Sequence, residues 1–95
     1  DAVVGVTDIY SAFLIRELNA RKIRVPEEVA VIGHGNDLFT RMITPELASV
    51  DDRQEEQGKE ASKLLFQLIK SDAVAPAGLK TGISPELIVR PSAGN

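Results

Sequence analysis

One short stretch of the chain brings together three side chains that could take part in chemistry. Residues 31–37 read Val-Ile-Gly-His-Gly-Asn-Asp, so the only histidine, His34, sits between two glycines and is followed by Asn36 and Asp37. An imidazole, an amide and a carboxylate beside flexible backbone could form a catalytic base, a phosphate cradle, a metal site, a ligand rim or a plain turn. The surrounding sequence narrows these choices.

Nucleotide and metal sites are disfavoured by residues that are missing. A dinucleotide-binding turn needs a third glycine, but Leu38 occupies that position, and the sequence contains no Gly-Lys-Ser/Thr phosphate loop. A metal site at His34 and Asp37 would lack a second histidine or any cysteine. We therefore expect no metal and no cofactor.

A catalytic role for His34 would require an orienting acid and a nucleophile. Asp8 follows the preceding predicted strand and could supply the acid, but no serine or cysteine elbow accompanies the pair. An enzyme that uses His34 and Asp8 thus remains a minor hypothesis. A hydrogen-bonded turn or a ligand rim is favoured, and we expect no enzymatic activity.

The elements that position these residues follow from the apolar pattern. Residues 2–6 and 29–33 are short and almost wholly apolar, which is typical of strands buried on both faces of a parallel sheet. Between them, apolar residues spaced by three and four predict a helix from an N-cap at Asp8 to about Arg21. Strand, helix and strand together predict a βαβ unit.

The rest of the chain predicts a mixture of short and long elements. One or two helical turns are expected over 38–43 and a brief third strand over 47–50. The clearest helix runs from 53 to about 70, because its apolar residues form one stripe. A loop is expected over 71–78 and a final strand over 85–90.

The polar clusters are expected to meet on one rim. Ligands of open parallel sheets bind beyond the carboxyl ends of the strands, where Thr7 and Asp8 end the first strand and residues 34–37 end the second. Asp8 could accept hydrogen bonds from hydroxyls, and Gly35 lets a ligand approach the backbone. Such a rim suits a polyhydroxy ligand, although a simple capping role for Asp8 is nearly as well supported.

Composition limits the partners of this segment. The 95 residues are 43% hydrophobic, carry a formal charge of -3 and include no cysteine. Without a basic run, the segment alone is not expected to bind nucleic acid, and the lack of cysteine suits a reducing cytoplasm. The chain opens directly on a predicted strand, without a signal-peptide pattern, which suggests a fragment of a longer protein.

Several motifs, in order and over practically all of the chain, resemble the C-terminal part of the effector-binding core of lactose/galactose-repressor-type (LacI/GalR) bacterial transcription regulators. The matching segments are the apolar strand ending at Thr7-Asp8 with its following helix, residues 24–33 (RVPEEVAVIG), residues 44–50 (TPELASV), Gly58 within its helix, and residues 85–92 (PELIVRPS).

This resemblance implies an α/β fold with a parallel sheet, of the periplasmic-binding-protein-like type I class, in which two subdomains clamp a small effector. Residues 1–46 would belong to the C-terminal subdomain. Residues 47–84 would form the hinge crossover and a helix of the N-terminal subdomain, and residues 85–95 the return strand. The chain would thus contribute to both subdomains, and the DNA-binding headpiece would be absent from it.

The resemblance also implies an effector site. Family contacts fall on Thr7, Gly35, Asp52 and Gln54, with Asp8, His34 and Asn36 adjacent. The family often has asparagine in place of Thr7, and an aspartate that binds sugar hydroxyls in place of Gly35. The expected effector is a sugar, a sugar phosphate or a related metabolite.

The resemblance further implies a homodimer formed through the first helix and the segment near residues 38–43. The candidate interface residues are Ala12, Phe13, Arg16, Met42 and Ile43; for Phe13, simple core packing is an equal alternative. The implied function is effector sensing and dimerisation in a cytoplasmic repressor, with operator DNA bound only by the missing N-terminal domain and no membrane partner. The alternative is a periplasmic sugar-binding protein of a transport system.

Overall fold

A four-stranded sheet organises the part of the chain that the computed structural model describes, residues 1–70 and 81–94. Its strands, side by side in chain order, are β1 (Ala2–Val4), β2 (Ala30–His34), β3 (Ala48–Asp51) and β4 (Glu86–Ile88). β1, β2 and β3 are mutually parallel, as predicted, whereas β4 pairs antiparallel with β3. The loop predicted over 71–78 lies outside the described residues.

Two helices follow the first and third strands. They are α1 (Asp8–Ala20) and α2 (Gln54–Lys70), and single 3₁₀ turns span Leu38–Arg41 and Pro91–Ala93. The N-cap of α1 is Thr7, not Asp8 as predicted, because Thr7 is extended and its Oγ1 accepts from Tyr10 N at 3.4 Å. Asp8 is instead the first helical residue, where the helix dipole favours a carboxylate.

The hydrophobic core lies where α1 packs against β2 and the segment before β3. Ile15, Val25, Val31 and Leu47 are its buried members. Full burial of one such side chain contributes about 1.5–3 kcal/mol. The sheet covers only one side of α1, so Ile9 and Phe13 remain half exposed.

Helix α2 has an apolar stripe that nothing among the described residues buries. None of its residues is buried, and Leu65, Phe66 and Ile69 are each more than half exposed. Within the described residues, its stripe therefore remains available for contact with another part of the protein. No helix in the described part of the chain combines the length and apolar character that crossing a membrane requires.

Candidate functional site

The ends of the first two parallel strands meet, as the sequence predicts. The backbone N–H of Asp37, beyond β2, donates to Oδ2 of Asp8, beyond β1, at 2.7 Å. Ser49 of β3 joins them, since its Oγ donates to Oδ1 of Asp8 at 2.6 Å and accepts from the N–H of Asn36 at 2.9 Å. One polar rim therefore spans three strands.

Asp8 anchors this rim from inside. The residue has no solvent exposure, and both of its carboxylate oxygens accept hydrogen bonds from the protein. A Cβ at Gly33 would collide with Oδ1 of Asp8 and approach Leu47 to 2.9 Å. Glycine at position 33 thus makes room for the carboxylate. The expectation that Asp8 directly accepts hydrogen bonds from ligand hydroxyls is wrong in the described structure, because its carboxylate is fully buried and bonded to the protein.

The turn after β2 has a backbone conformation that selects its residues. Gly35 has a φ of 120° and Asn36 a φ of 51°. The first value is open mainly to glycine, and the second is tolerated by asparagine. This conformation gives a physical reason for glycine at position 35.

Asn36 links this turn to two other segments through its amide. Its Nδ2 donates to Oδ2 of Asp51 at 3.0 Å, and its Oδ1 accepts from Nη2 of Arg90 at 2.7 Å. Both ends of the amide are therefore engaged within the protein. The Asn36 side chain therefore connects the turn to Asp51 and Arg90.

Arg90 is a buried cation that the sequence does not single out as a site residue. It is 8% exposed, and its Nη1 donates to Thr40 Oγ1 at 3.0 Å and to Leu47 O at 2.8 Å. Burial of a guanidinium requires such partners. The sequence feature that could have identified Arg90 is an arginine placed soon after an apolar strand. Ser49 was also missed, and the feature that could have identified it is a hydroxyl residue inside a buried strand.

His34 forms a pair with Asp52, not with Asp8. Its Nε2 lies 3.0 Å from Oδ2 and 3.1 Å from Oδ1 of Asp52, and the two side chains are 43% and 29% exposed. A carboxylate only accepts, so Nε2 is the donor. The hypothesis that Asp8 orients His34 for catalysis is therefore wrong. The described residues contain no group of three or more histidine and acidic side chains that could hold a metal ion.

A polar hollow of about 470 Å³ opens beside the turn. Its lining is Gly35, Asn36, Asp51, Arg53, Gln54, Glu55, Glu56 and Glu86. Three predicted effector residues, Gly35, Asn36 and Gln54, thus share one hollow. Thr7, Asp8, His34 and Asp52 are outside this lining: Thr7 caps α1, Asp8 is buried, and His34 and Asp52 form their own pair.

Asp51 is held as an anion in this hollow. The backbone N–H of Arg53 donates to its Oδ1 at 2.7 Å, and this bond, followed by the Asn36 amide, lowers the pKa of Asp51 below the usual 3.8. Hydrogen bonds to a carboxylate favour its charged form. The hollow therefore carries fixed negative charge at neutral pH.

An apolar groove of about 530 Å³ lies between α1 and residues of the 39–44 segment. Four of the five predicted interface residues line it, namely Ala12, Phe13, Arg16 and Ile43. The fifth, Met42, is 74% exposed. The ring of Phe13 is half exposed and has the Arg16 guanidinium carbon 5.1 Å from its centroid, so Phe13 is not a core residue within the described structure.

Comparison with known proteins gives one family match and many regulators as relatives. Residues 1–93 match the family model described as "Periplasmic binding protein-like domain". The HTH-type transcriptional regulator CelR of Thermobifida fusca is 33% identical over 92 residues, covering 97% of this chain and 26% of that protein. The ribose operon repressor of Bacillus subtilis (strain 168) is 29% identical over 84 residues, covering 88% of this chain and 26% of the repressor.

The fold of the chain is also similar to that of a solved transcriptional regulator. The LacI family transcriptional regulator from Arthrobacter sp. FB24, in complex with lactose, matches with a TM-score of 0.88 at 26% identity. The match covers 98% of this chain and 34% of that one. The chain spans about a quarter of the length of the curated relatives named above, at 26% of each.

Proposed function

The chain belongs to the family of periplasmic binding protein-like domains, in the form found in LacI-type regulators, and we propose that it forms part of the effector-sensing and dimerisation region of a DNA-binding transcriptional repressor. The proposed effector is a small polyhydroxy metabolite of the sugar class. The relatives are transcriptional regulators, which favours this function over a role in periplasmic transport and over enzymatic activity.

One observation carries the proposal: the rim connects the strand ends to the start of the crossover. His34 is the last residue of β2, and Asp52 lies directly after β3, so their pair connects the ends of the two strands at 3.0 Å. A ligand that inserts between hydroxyl-binding groups on these two segments would change their relative position. An effector shifts such an equilibrium only by binding its two states unequally.

The proposed division of the chain is the one that the resemblance implies. Residues 1–46 form the C-terminal subdomain, residues 47–84 the crossover and a helix of the N-terminal subdomain, and residues 85–95 the return strand. The antiparallel pairing of β3 with β4 supports a chain that leaves the C-terminal subdomain through β3 and returns through β4. The uncovered apolar residues of α2 support packing against a further part of the protein.

The proposed partner of the α1 groove is a second copy of the chain. Its apolar lining and the half-exposed Phe13 support a homodimer built on Ala12, Phe13, Arg16, Met42 and Ile43. The proposed setting is the cytoplasm, where the remaining part of the protein would bind operator DNA.

The experiment that tests this function uses the intact protein in two steps. A thermal-shift screen of sugars, sugar phosphates, sugar acids and purines first identifies the effector, because a ligand at about 100 times its Kd stabilises the folded state by about 2.7 kcal/mol. Calorimetry and operator binding are then measured for His34→Ala. We expect about a tenfold or greater loss of effector affinity, with dimerisation unchanged.

The matched control is Glu27→Ala, an exposed change before β2 at the end of the sheet away from the rim. It should leave effector affinity within about twofold, as surface substitutions usually do. Unaltered effector affinity in His34→Ala would show that the connection between His34 and Asp52 plays no part in effector binding. An operator affinity that does not change with any of the stabilising ligands would refute the sensing function itself.

A further inference from the structure

The turn after β2 would be a natural anion cradle if its N–H groups were free. Successive backbone N–H groups in a turn with positive φ form concavities that bind phosphate. In this chain each group already has an internal acceptor. Gly35 donates to Val50 O at 2.8 Å, Asn36 to Ser49 Oγ at 2.9 Å, and Asp37 to the Asp8 carboxylate at 2.7 Å. The protein's own oxygens fill the anion position.

The two guanidinium groups of this region are also engaged. Arg90 is buried and donates to Thr40, Leu47 and Asn36. Arg53 lines the hollow, but its Nη2 lies 3.7 Å from Oε1 of Glu56. Among the residues that the structure describes, the buried cation of this rim is thus saturated with oxygen acceptors. The exposed one, Arg53, has a carboxylate beside it in a weak surface pair.

The charge of the hollow opposes an anion in the same way. Four carboxylates line it, those of Asp51, Glu55, Glu56 and Glu86, against the single guanidinium of Arg53. Glu55 and Glu56 stand in the first turn of α2, where they offset the positive end of the helix dipole. A phosphate ester carries a charge of about -1.5 to -2 at neutral pH and would meet this field directly.

We propose that this rim selects an uncharged polyhydroxy ligand and excludes phosphorylated and other anionic ones. The inference rests on the proposed sensing function and narrows its ligand class from sugars and sugar phosphates to neutral sugars. Hydroxyl groups donate to carboxylates, so the same acidic lining that repels a phosphate can bind a neutral sugar. The observation that carries this proposal is that each backbone N–H group of the turn already donates to an acceptor within the protein.

Matched ligand pairs test the proposal on the intact protein. Glucose with glucose 6-phosphate and ribose with ribose 5-phosphate are titrated by calorimetry at constant ionic strength, well above the phosphate pKa of about 6. For any pair that binds, the phosphate ester is expected to bind at least about tenfold more weakly than the neutral sugar. An ester that binds as tightly as its sugar overturns the proposal and leaves the sensing function standing.

Inorganic phosphate alone provides an independent arm. No saturable rise in the melting temperature of the intact protein is expected, beyond that given by chloride at equal ionic strength. A saturable rise overturns the proposal, whatever the sugars do. If neither sugar pair binds, sensing of these sugars fails, while the phosphate arm still decides whether the rim excludes anions.

A charge variant tests the stated cause. Glu56→Gln removes one carboxylate and frees Arg53, so the discrimination between sugar and phosphate ester should fall several-fold. Glu60→Gln is the matched control, since it removes the same charge one turn further along α2, where Glu60 pairs with Lys63 at 2.9 Å. Discrimination that falls equally in both variants, or in neither, contradicts an origin in the charge of this rim.

Discussion

At the scale of single residues, Asp8 makes the most informative contacts of the rim. Its buried carboxylate satisfies the Ser49 hydroxyl and the Asp37 N–H at the same time. Asp8→Ala leaves both donors unsatisfied, and each such loss costs about 1–3 kcal/mol. We expect the free energy of unfolding of the intact protein to fall by about 2–4 kcal/mol in urea denaturation.

Asp37→Ala is the matched control for Asp8→Ala. The side chain of Asp37 is exposed and makes no capping bond; only its backbone N–H contacts Asp8. Its removal should change the unfolding free energy by less than about 0.5 kcal/mol. Equal denaturation midpoints for the two variants would mean that the Asp8 contacts are not a source of stability.

The same residues show how far sequence reasoning reaches. Strand ends predict that Asp8 and the 34–37 segment meet, because parallel strands share one carboxyl edge. The direction in which each side chain points is not encoded in that pattern. Asp8 turns inward because Gly33 and Ser49 provide space and a donor, and both features depend on neighbouring strands. His34 pairs with Asp52, eighteen residues away, and this partner also depends on how neighbouring strands lie together.

At the scale of elements, the turn after β2 and helix α2 each contain a glycine, in contrasting roles. Gly35 has a φ of 120°, whereas a Cβ at Gly58 in α2 would meet nothing within 4 Å. Gly35→Ala should destabilise the protein by about 1–3 kcal/mol through backbone strain. Gly58→Ala should stabilise it by about 0.5–1 kcal/mol, because alanine loses less entropy in a helix.

Thermal denaturation of the intact protein compares these two glycine variants. Each serves as the control for the other, since both add one methyl group. A stabilised Gly35→Ala variant would contradict the turn conformation described here. A destabilised Gly58→Ala variant would instead show that another part of the protein packs closely against that position of α2.

The elements themselves were predictable to different degrees. The continuous apolar runs predict the strands β1, β2 and β3. The predicted burial on both faces is wrong for β1, an edge strand whose residues are all exposed in the described structure. The antiparallel direction of β4 is not predictable in this way, since strand direction depends on the path of the chain between β3 and β4. The stripe of α2 predicts the helix correctly but does not identify its partner.

At the scale of the whole molecule, apolar surface remains in several places at once. Phe13 lines the groove of α1, and Met42 is the neighbour in sequence of its lining residue Ile43. Leu65 and Phe66 lie on α2 and Val4 on the edge strand, and all of these except Ile43 are at least half exposed. Clusters of exposed apolar side chains mark sites of protein contact. The groove and the helix stripe belong to different elements, so two separate contacts are expected.

The groove of α1 gives the last prediction, which concerns assembly. Phe13→Glu places a charge in the apolar lining of the proposed dimer and should raise the dimer Kd at least about tenfold, measured by sedimentation of the intact protein over a range of concentrations. Tyr10→Glu is the control, because Tyr10 is exposed on the same helix but does not line the groove. Both variants should keep the melting temperature of the monomer, since neither residue is buried. An unchanged dimer Kd in Phe13→Glu would place the interface elsewhere on the molecule, and an equal loss in Tyr10→Glu would extend it beyond the groove.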